Sequence, residues 1–321
     1  MRAASKLRSK AWLDAAGPIV GLVIVVVLFA VLVPDRFLSV YNVRNVLTAT
    51  VIVGLGAIGM TWVMVSGGID LSVGSVIALT SVITAVLLRA DASIPIAILG
   101  GVGTGVLVGV INGALVTSLS LAPFIVTLGT MEIARGLAKY FADEQTVNAD
   151  AGWLADLMTK TPDPEWLLVA KAVWITLVLA ALMTFLLRRT VFGVHTFAIG
   201  SNEATARLCG VRVKRTKLAV YALAGLFAGL AGVLQYGRMT IGDPTTAIGL
   251  ELDVIAAVVI GGGSLSGGRG SIQGSLLGAL FMAVLANGLN LSGVPNYVQE
   301  IAVGTIIVVA VALDQLRRRK G

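Results

Sequence analysis

Residues Gly261–Ser271 read GGGSLSGGRGS, and they separate two apolar runs, Leu252–Ile260 and Ile272–Leu291. The glycine spacing begins like a phosphate-binding loop, G-x-x-x-x-G-K-[ST], but Gly268 and Arg269 stand where lysine and Ser/Thr would follow. Such a loop needs the lysine on the β/γ-phosphates and the hydroxyl on Mg²⁺. We therefore expect no nucleotide or other cofactor in this chain, and instead a glycine-rich break between two membrane elements.

The composition predicts an all-α integral membrane protein. The 321 residues are 57% hydrophobic and 13% charged, with a mean hydropathy of +0.93, whereas soluble domains carry about 25% charged residues. Apolar runs of about 20 residues, enough to cross a bilayer as a helix, recur along the chain. The eighth run is too short to cross alone, so we expect a broken or re-entrant helix there. The ten candidate spans are Ala15–Val33, Val46–Val65, Leu71–Leu88, Ile94–Thr117, Phe124–Phe141, Trp166–Leu187, Leu218–Tyr236, Leu252–Ile260, Ile272–Leu291 and Val298–Leu313.

The distribution of lysine and arginine predicts which ends of the spans face the cytoplasm. Placing the N-terminus inside puts 16 basic residues on the inner side and eight outside, with net charges of +12 and −5. Ten spans then leave both termini cytoplasmic, and the first span is expected to be retained because no cleavage site follows it. We expect one polytopic domain, 1–321, with cytoplasmic tails at 1–14 and 314–321, a cytoplasmic loop at 188–217 and an outer loop at Ala142–Glu165. The net charge of +7 then reflects topology and does not indicate nucleic-acid binding.

Residue pairs at a constant offset suggest an internal repeat. Each pair lies 175 positions apart and joins a span of the first half to a span of the second. This shift crosses five spans, an odd number, which reverses the direction through the membrane. Spans two to five and seven to ten would then form an inverted repeat, an architecture in which transporters place the pathway between the repeats. The pairs are Gly54–Ala57 with Gly229–Gly232, Asn112–Gly113 with Asn287–Gly288, and Gly129–Thr130 with Gly304–Thr305.

A second glycine-rich break, SGGIDLSVGS, lies at Ser66–Ser75 between the second and third spans. Like Gly261–Ser271, it joins a glycine pair to Leu-Ser and further glycine. Asp70 and Ser72 are expected to shape a gate beside the pathway or to be an ordinary N-cap pair for the next helix, and these two roles are compatible. The candidate pathway or gate residues are Gly67, Gly68, Asp70, Ser72, Asn112, Pro123, Gly262, Gly263, Ser264, Ser266 and Asn287.

Charged and unique residues offer few further sites. Glu132 and Arg135 share one face of the fifth span and are expected to pair, either beside the pathway or as a structural ion pair. Lys139, nearer the outer end of the same face, is expected to snorkel. Cys209 and His195 are each the only residue of their kind, so metal ligation, disulfides and Cys/His catalysis have no partners.

Five segments together carry a family signal: SGGIDLSVGSVIALT, GVINGALVTSLSLAPFIVTLGTM, RGLA, GLELDVIAAVVIGGGSLSGGRGSIQGSLLGAL and NGLNLSGV. Through them the chain, from about Val46 to Asp314, resembles the membrane permeases of bacterial ABC importers for ribose and other simple sugars. One departure is Ala122-Pro123, where such permeases commonly have two prolines, and it affects one turn at most.

The resemblance implies a multi-pass subunit of the bacterial inner membrane that is not itself an enzyme. Two permease chains, identical or sister subunits, would form the pathway for a simple sugar. Two separate ABC ATPase subunits would bind ATP and Mg²⁺, and a periplasmic or lipid-anchored solute-binding protein would deliver the sugar. Membrane lipid would surround the spans.

The resemblance also identifies NEATARLCG, Asn202–Gly210, as the segment that docks into the ATPase. From the residues alone, this segment is a short helix capped by Asn202 and stopped by Gly210, or a solvated basic loop fixed only by topology. Ala204 and Leu208, at positions i and i+4, would form its docking face. The ATPase-coupling residues are Glu203, Ala204, Arg207, Leu208 and Gly210.

Two other transport functions stay open at this point. A branched-chain amino acid permease of an ABC importer would share the general architecture. An ion- or proton-coupled carrier would need buried acids or histidines within its spans, and Glu132 is the main candidate. The sequence has neither a channel filter motif nor a catalytic constellation.

Overall fold

The computed structural model describes residues 2–319, and their side chains apart from those of 2–16, 165, 310, 313, 314 and 316–319. The outermost residues of the two predicted tails, 1 and 320–321, lie outside the described residues. The chain is mostly helical, with a 3₁₀ turn at Glu165–Leu167 and two short strands. In chain order the elements are α1 (Arg2–Leu32), α2 (Pro34–Phe37), α3 (Val40–Val65), α4 (Val73–Arg89), α5 (Ile94–Ser118), α6 (Pro123–Phe141), β1 (Val147–Asn148), α7 (Trp153–Leu157), α8 (Lys171–Arg189), α9 (Val191–Ser201), α10 (Glu203–Leu208), α11 (Val213–Met239), β2 (Ile241–Gly242), α12 (Leu250–Ile260), α13 (Ile272–Leu291) and α14 (Asn296–Arg319).

Every predicted span coincides with a helix: α1, α3, α4, α5, α6, α8, α11, α12, α13 and α14 in turn. Among the described residues, five helices are long and apolar enough to cross a membrane, namely α3, α5, α8, α11 and α13. Shorter apolar runs lie in α1, α4, α9 and α14. These observations confirm a mostly helical membrane protein with several spans. The eighth predicted span corresponds to α12, which has only 11 residues and begins two residues before the apolar run Leu252–Ile260.

The predicted cytoplasmic loop 188–217 is mostly helical. A single residue, Thr190, separates α8 from α9, and its hydroxyl oxygen accepts a hydrogen bond from the Gly193 N–H at 3.3 Å. Trp62 of α3 stacks on Phe192 of α9, with ring centroids 4.9 Å apart. The first half of this segment is therefore packed against the body of the protein because α9 is apolar, and only the part from α10 onward stands out.

The contacts of helices α3–α6 have counterparts among the contacts of helices α11–α14, taken in the same order. The contact between α3 and α13 corresponds to the contact between α11 and α5. In the same way, α4 packs on α5 and α6, and α12 packs on α13 and α14. α3 also contacts α12 as α11 contacts α4, and α3 and α11 contact each other. Trp62 in α3 and Tyr221 in α11 are among the largest fully buried side chains. The predicted repeat, in which spans two to five correspond to spans seven to ten, requires this correspondence between helix contacts.

The closest helix pair, α5 with α11, is built on a stripe of glycines. The stripe consists of every fourth residue of α5 from Gly101 to Gly113, and all four positions are buried. A Cβ added to Gly105 would lie 2.7 Å from the Gly229 Cα of α11, and one added to Gly109 would lie 3.0 Å from the Gly225 Cα. Small residues at such positions let helix backbones touch, which is how helices commonly associate within a membrane.

Candidate functional site

The first break, Gly67–Ser72, leads from α3 into α4. Gly67 has φ of +82°, a conformation that favours glycine. The Asp70 Oδ1 atom accepts hydrogen bonds from the Ser72 N–H at 2.9 Å and from the Ser72 hydroxyl at 2.6 Å, and both residues are buried. The predicted capping role holds in part: Asp70 accepts the N–H of Ser72 ahead of α4, as a capping side chain does, whereas Ser72 makes no side-chain bond to the described residues of the helix. Its backbone is helical, where a capping residue is extended, and its hydroxyl is held by Asp70.

A buried hydrogen-bond network ties the first break to α5 and α6. The Asn112 Nδ2 atom donates to Ser72 Oγ at 3.0 Å, and the Thr130 hydroxyl donates to Asn112 Oδ1 at 2.6 Å. The Thr127 hydroxyl donates to the Ile69 carbonyl oxygen at 3.2 Å. Satisfied polar networks of this kind favour a single arrangement of the elements that they join. The first break therefore holds a defined position against both helices.

The second break, Gly261–Gly270, leads from α12 into α13 and lies directly against the first. The Gly268 N–H donates to the carbonyl oxygen of Val65, the last residue of α3, at 3.0 Å. A Cβ added to Gly267 would lie 2.8 Å from the Gly67 Cα, a separation that real Cβ atoms do not adopt. The structure thus brings the two breaks together with backbone against backbone.

The remaining predicted pathway residues do not all join this cluster. Asn287 lies apart from it and exchanges two hydrogen bonds of 2.9 Å with Asn42, near the start of α3. Pro123 is the first residue of α6 and is partly exposed, a position that suits proline because the first helical N–H needs no partner. Within the two breaks, Gly68, Gly263 and Ser264 are buried, whereas Gly262 and Ser266 are exposed.

Sequence reasoning missed a matching turn between α11 and α12. The Asp243 Oδ1 atom accepts hydrogen bonds from the N–H and the hydroxyl of Thr245, both at 2.7 Å. Asp70 and Ser72, in the turn between α3 and α4, have the same arrangement. The pattern D-x-[ST] at an offset of 173 is the signal that could have found this turn.

Arg135 joins α6 to this second polar turn. Its Nη1 atom donates to the carbonyl oxygens of Pro244 at 2.7 Å and Thr246 at 2.8 Å. The predicted close Glu132–Arg135 ion pair is not formed in the described part of the chain, although the charge of Glu132 acts on Arg135 from a longer distance. Arg135 reaches toward the carbonyl groups of the turn between α11 and α12, while Glu132, only about one-sixth of a turn away around α6, is exposed.

Gly200, near the end of α9, lies where the two breaks meet, and sequence reasoning missed it. A Cβ added to Gly267 would lie 2.6 Å from the Gly200 carbonyl oxygen, and one added to Gly268 would lie 3.2 Å from the Ser201 Cα. Asn202, two residues after Gly200, is the N-cap of α10. The backbone leading into α10 therefore touches the second break directly and the first break beside it.

The predicted short helix, with Asn202 as cap and Gly210 as stop, is confirmed as α10. The Asn202 Oδ1 atom accepts a hydrogen bond from the Thr205 N–H at 2.9 Å. Gly210 has φ of +84°, and the N–H groups of Gly210 and Val211 donate to carbonyl oxygens in the last turn at 3.1 and 3.0 Å. These two bonds form a Schellman motif, which ends a helix where glycine adopts a left-handed conformation.

One side of α10 packs against the protein and the other is open. Ala206 is 4% exposed and packs with Ile199 and Val213, which anchors the helix to α9 and to the start of α11. Leu208 is 89% exposed, and Ala204 is also exposed. The side predicted to dock is therefore accessible to a partner.

Glu203 forms ion pairs with two basic residues in and beside α10. The Glu203 carboxylate accepts hydrogen bonds from Lys217 Nζ at 2.6 Å and from Arg207 Nη2 at 2.9 Å. The hydrogen bond from Lys217 is the main cause that lowers the pKa of the Glu203 carboxyl below its ordinary value of 4.5. A cleft of about 360 Å³ adjoins the helix, and four of its five lining residues are cationic, which suits an acidic partner surface. The lining residues are Arg207, Arg212, Val213, Lys214 and Arg215.

Residues 42–311 match the family described as branched-chain amino acid transport system / permease component. The match covers most of the chain, and the chain belongs to this family of transport permeases. Family members of this class are transport subunits and not enzymes, in agreement with the prediction from the sequence.

The relatives of the chain include permeases named for sugars. The ribose import permease protein RbsC of Bacillus subtilis (strain 168) is 42% identical over 300 residues, which cover 93% of this chain and 92% of that relative. RbsC of Escherichia coli (strain K12) is 36% identical over 310 residues, with 97% and 96% covered. The L-arabinose ABC transporter permease protein AraH of Azospirillum brasilense is 39% identical over 304 residues, with 94% and 88% covered. No solved structure significantly matches the chain.

Proposed function

We propose that the chain is the membrane permease subunit of an ATP-binding cassette importer for a simple sugar. The observation that carries this proposal is the similarity to ribose and arabinose permeases over more than nine-tenths of the chain. These relatives favour a sugar over a branched-chain amino acid, which the description of the family names. They also favour an ATP-driven importer over an ion-coupled carrier.

The membrane architecture is proposed to consist of ten elements in the bacterial inner membrane, with both termini cytoplasmic and α3–α6 inverted relative to α11–α14. The exchange symmetry of the helix packing supports the repeat. The two D-x-[ST] turns, at Asp70 and Asp243, support it independently because they lie at equivalent breaks. In repeats of this kind the pathway lies at their interface.

ATP hydrolysis is proposed to occur on separate ATPase subunits, which bind ATP and Mg²⁺ and on which α10 docks. Leu208 and Ala204 offer an apolar contact, and the cationic cleft beside them offers an electrostatic one. A permease can be driven only by contacts that differ between the states of its ATPase. The backbone contact of Gly200 with the second break supplies a short connection from α10 to both breaks.

The sugar is proposed to arrive on a periplasmic or lipid-anchored solute-binding protein, and a second permease chain, identical or sister, is proposed to complete the pathway. Reconstitution in proteoliposomes with the cognate ATPase and binding protein tests the whole assembly. We expect uptake of ribose or arabinose that requires both ATP on the α10 side and the binding protein. Uptake of leucine alone would favour the amino acid permease, and sugar uptake driven by an ion gradient without ATP would favour the carrier.

A further inference from the structure

Glu132 lies in the middle of α6 and faces away from the protein. It is the tenth of the 19 residues between Pro123 and Phe141. At 3.6 residues per turn, Glu132 is almost opposite the centre of the face by which α6 packs on the protein. That buried face consists of Val126, Thr127, Thr130, Ala134 and Ala138.

In the described part of the chain the Glu132 carboxylate makes no hydrogen bond and no close ion pair, and its charge interacts with Arg135 only from a longer distance. Arg135, the nearest cation on α6, is held by the carbonyl oxygens of Pro244 and Thr246. The space beside Glu132 is open, because no described atom of another element lies within 4 Å of a Cβ placed on Gly129 or Gly136. In the proposed ten-element architecture α6 crosses the membrane, and the carboxylate then projects from the middle of that helix into open space.

This position does not suit contact with lipid. An ionised carboxylate is costly against hydrocarbon, and such groups within membrane helices face the bundle interior or a water-filled cavity. The interior of this chain lies on the opposite side of α6. If α6 crosses the membrane, water beside Glu132 requires a cavity that another chain completes.

We propose that Glu132 lines the sugar pathway between two permease chains and accepts hydrogen bonds from the hydroxyl groups of a neutral sugar in transit. This inference rests on the proposed function. An ionised carboxylate has two oxygens that only accept hydrogen bonds, so it suits a solute with several hydroxyl donors and repels anionic sugars such as sugar phosphates. In a two-fold symmetric pair the same residue of each chain would face the pathway.

Cysteine accessibility tests the placement in the assembled complex. A Cys209→Ser background is needed because Cys209 is exposed. In it, Glu132→Cys should react with a charged, water-soluble maleimide at least about tenfold faster than Val178→Cys, because hydrocarbon excludes charged groups. Val178 is the matched control, since it is 68% exposed in the middle of α8 on an apolar surface. Equal rates at the two positions would overturn the placement.

Transport tests the role in sugar binding. At saturating binding protein, Glu132→Leu should reduce sugar uptake about tenfold, the effect of losing roughly one hydrogen bond to a charged group. Glu132→Gln keeps an acceptor oxygen and should retain most of the uptake. Both variants should associate with the ATPase normally because Glu132 is exposed and lies outside α10. The inference would be overturned if Glu132→Leu transported sugar at the wild-type rate, or if both variants lost uptake equally. If the wild-type chain itself showed no uptake, that result would count against the proposed function instead.

Discussion

Replacing Gly200 by alanine tests whether the contact between the α10 segment and the two breaks transmits movement. A Cβ on Gly200 would lie 2.6 Å from the Gly268 nitrogen and 2.9 Å from the Val65 carbonyl carbon. Both are backbone atoms, so neither can rotate away as a side chain would. The same two residues form the 3.0 Å hydrogen bond from Gly268 to Val65, and the new methyl group would enter where that bond forms.

Three effects set the size of this perturbation. Overpacking a close contact costs about 1–3 kcal/mol, and losing the hydrogen bond between the breaks costs about 1 kcal/mol. Alanine is better than glycine within a helix by about 1 kcal/mol, which offsets part of the cost. We expect a net destabilisation of about 1–3 kcal/mol. Gly103→Ala in α5 is the matched control, because it has the same helical gain and no described atom of another element within 4 Å of its Cβ.

Three measurements on these variants separate folding, docking and transport. In detergent, Gly200→Ala should melt at a lower temperature than Gly103→Ala. It should co-purify with the ATPase at normal yield because the exposed side of α10 is unchanged, yet its ATP-driven uptake should fall below that of the control. Wild-type melting and wild-type uptake in Gly200→Ala would refute the reasoning that this contact is tight and transmits movement.

Three further predictions concern α10 and the topology. Leu208→Glu should leave the permease folded, since Leu208 is 89% exposed, but abolish co-purification with the ATPase and uptake together; normal co-purification would show that α10 is not the docking helix. In a Cys209→Ser background, an impermeant reagent applied from outside should label Asp156→Cys and not Thr205→Cys, and the reverse pattern would invert the topology. The lowered pKa of Glu203 means that its ion pairs stabilise α10 fully above pH 4.5 and lose that effect as the pH falls through the lowered pKa. Hydrogen exchange of the α10 amides, corrected for intrinsic rates, should therefore show constant protection from about pH 7 to pH 5 and a loss only below that; a loss near neutral pH would contradict the role of Glu203.

The sequence alone predicted a helix for each apolar run, but not α9, and it predicted the α10 cap, because both depend on local patterns. Apolar runs mark the spans, and Asn202 and Gly210 mark the two ends of α10 whatever surrounds them. The partner of Arg135 depends on distant parts of the chain instead. The spacing between Arg135 and Glu132 predicts an ion pair. In the folded chain, however, the Arg135 guanidinium binds the carbonyl oxygens of Pro244 and Thr246.

The role of Gly200 was hidden for a related reason. In the sequence it is one glycine among 38, within an apolar stretch that could belong to any membrane helix. Its importance lies in the backbone of Val65 and Gly268, which are more than 60 residues away on either side. The hydrogen bonds of Ser72 also depend on distant residues. Local rules assign its hydroxyl to helix capping, whereas in the folded chain the hydroxyl bonds to Asp70 and Asn112.

The glycine stripe of α5 restricts how this protein can change over evolutionary time. At Gly105 and Gly109 every substitution adds at least one carbon atom, and the backbone of α11 already occupies that volume. Gly103 lies on the same helix but faces open space, so a mutation there meets no such barrier. Descendants of this gene should therefore keep glycine at every fourth position along one side of α5 while the opposite side drifts freely. Within a single helix, the rate of accepted mutation should rise and fall with the period of the glycine stripe.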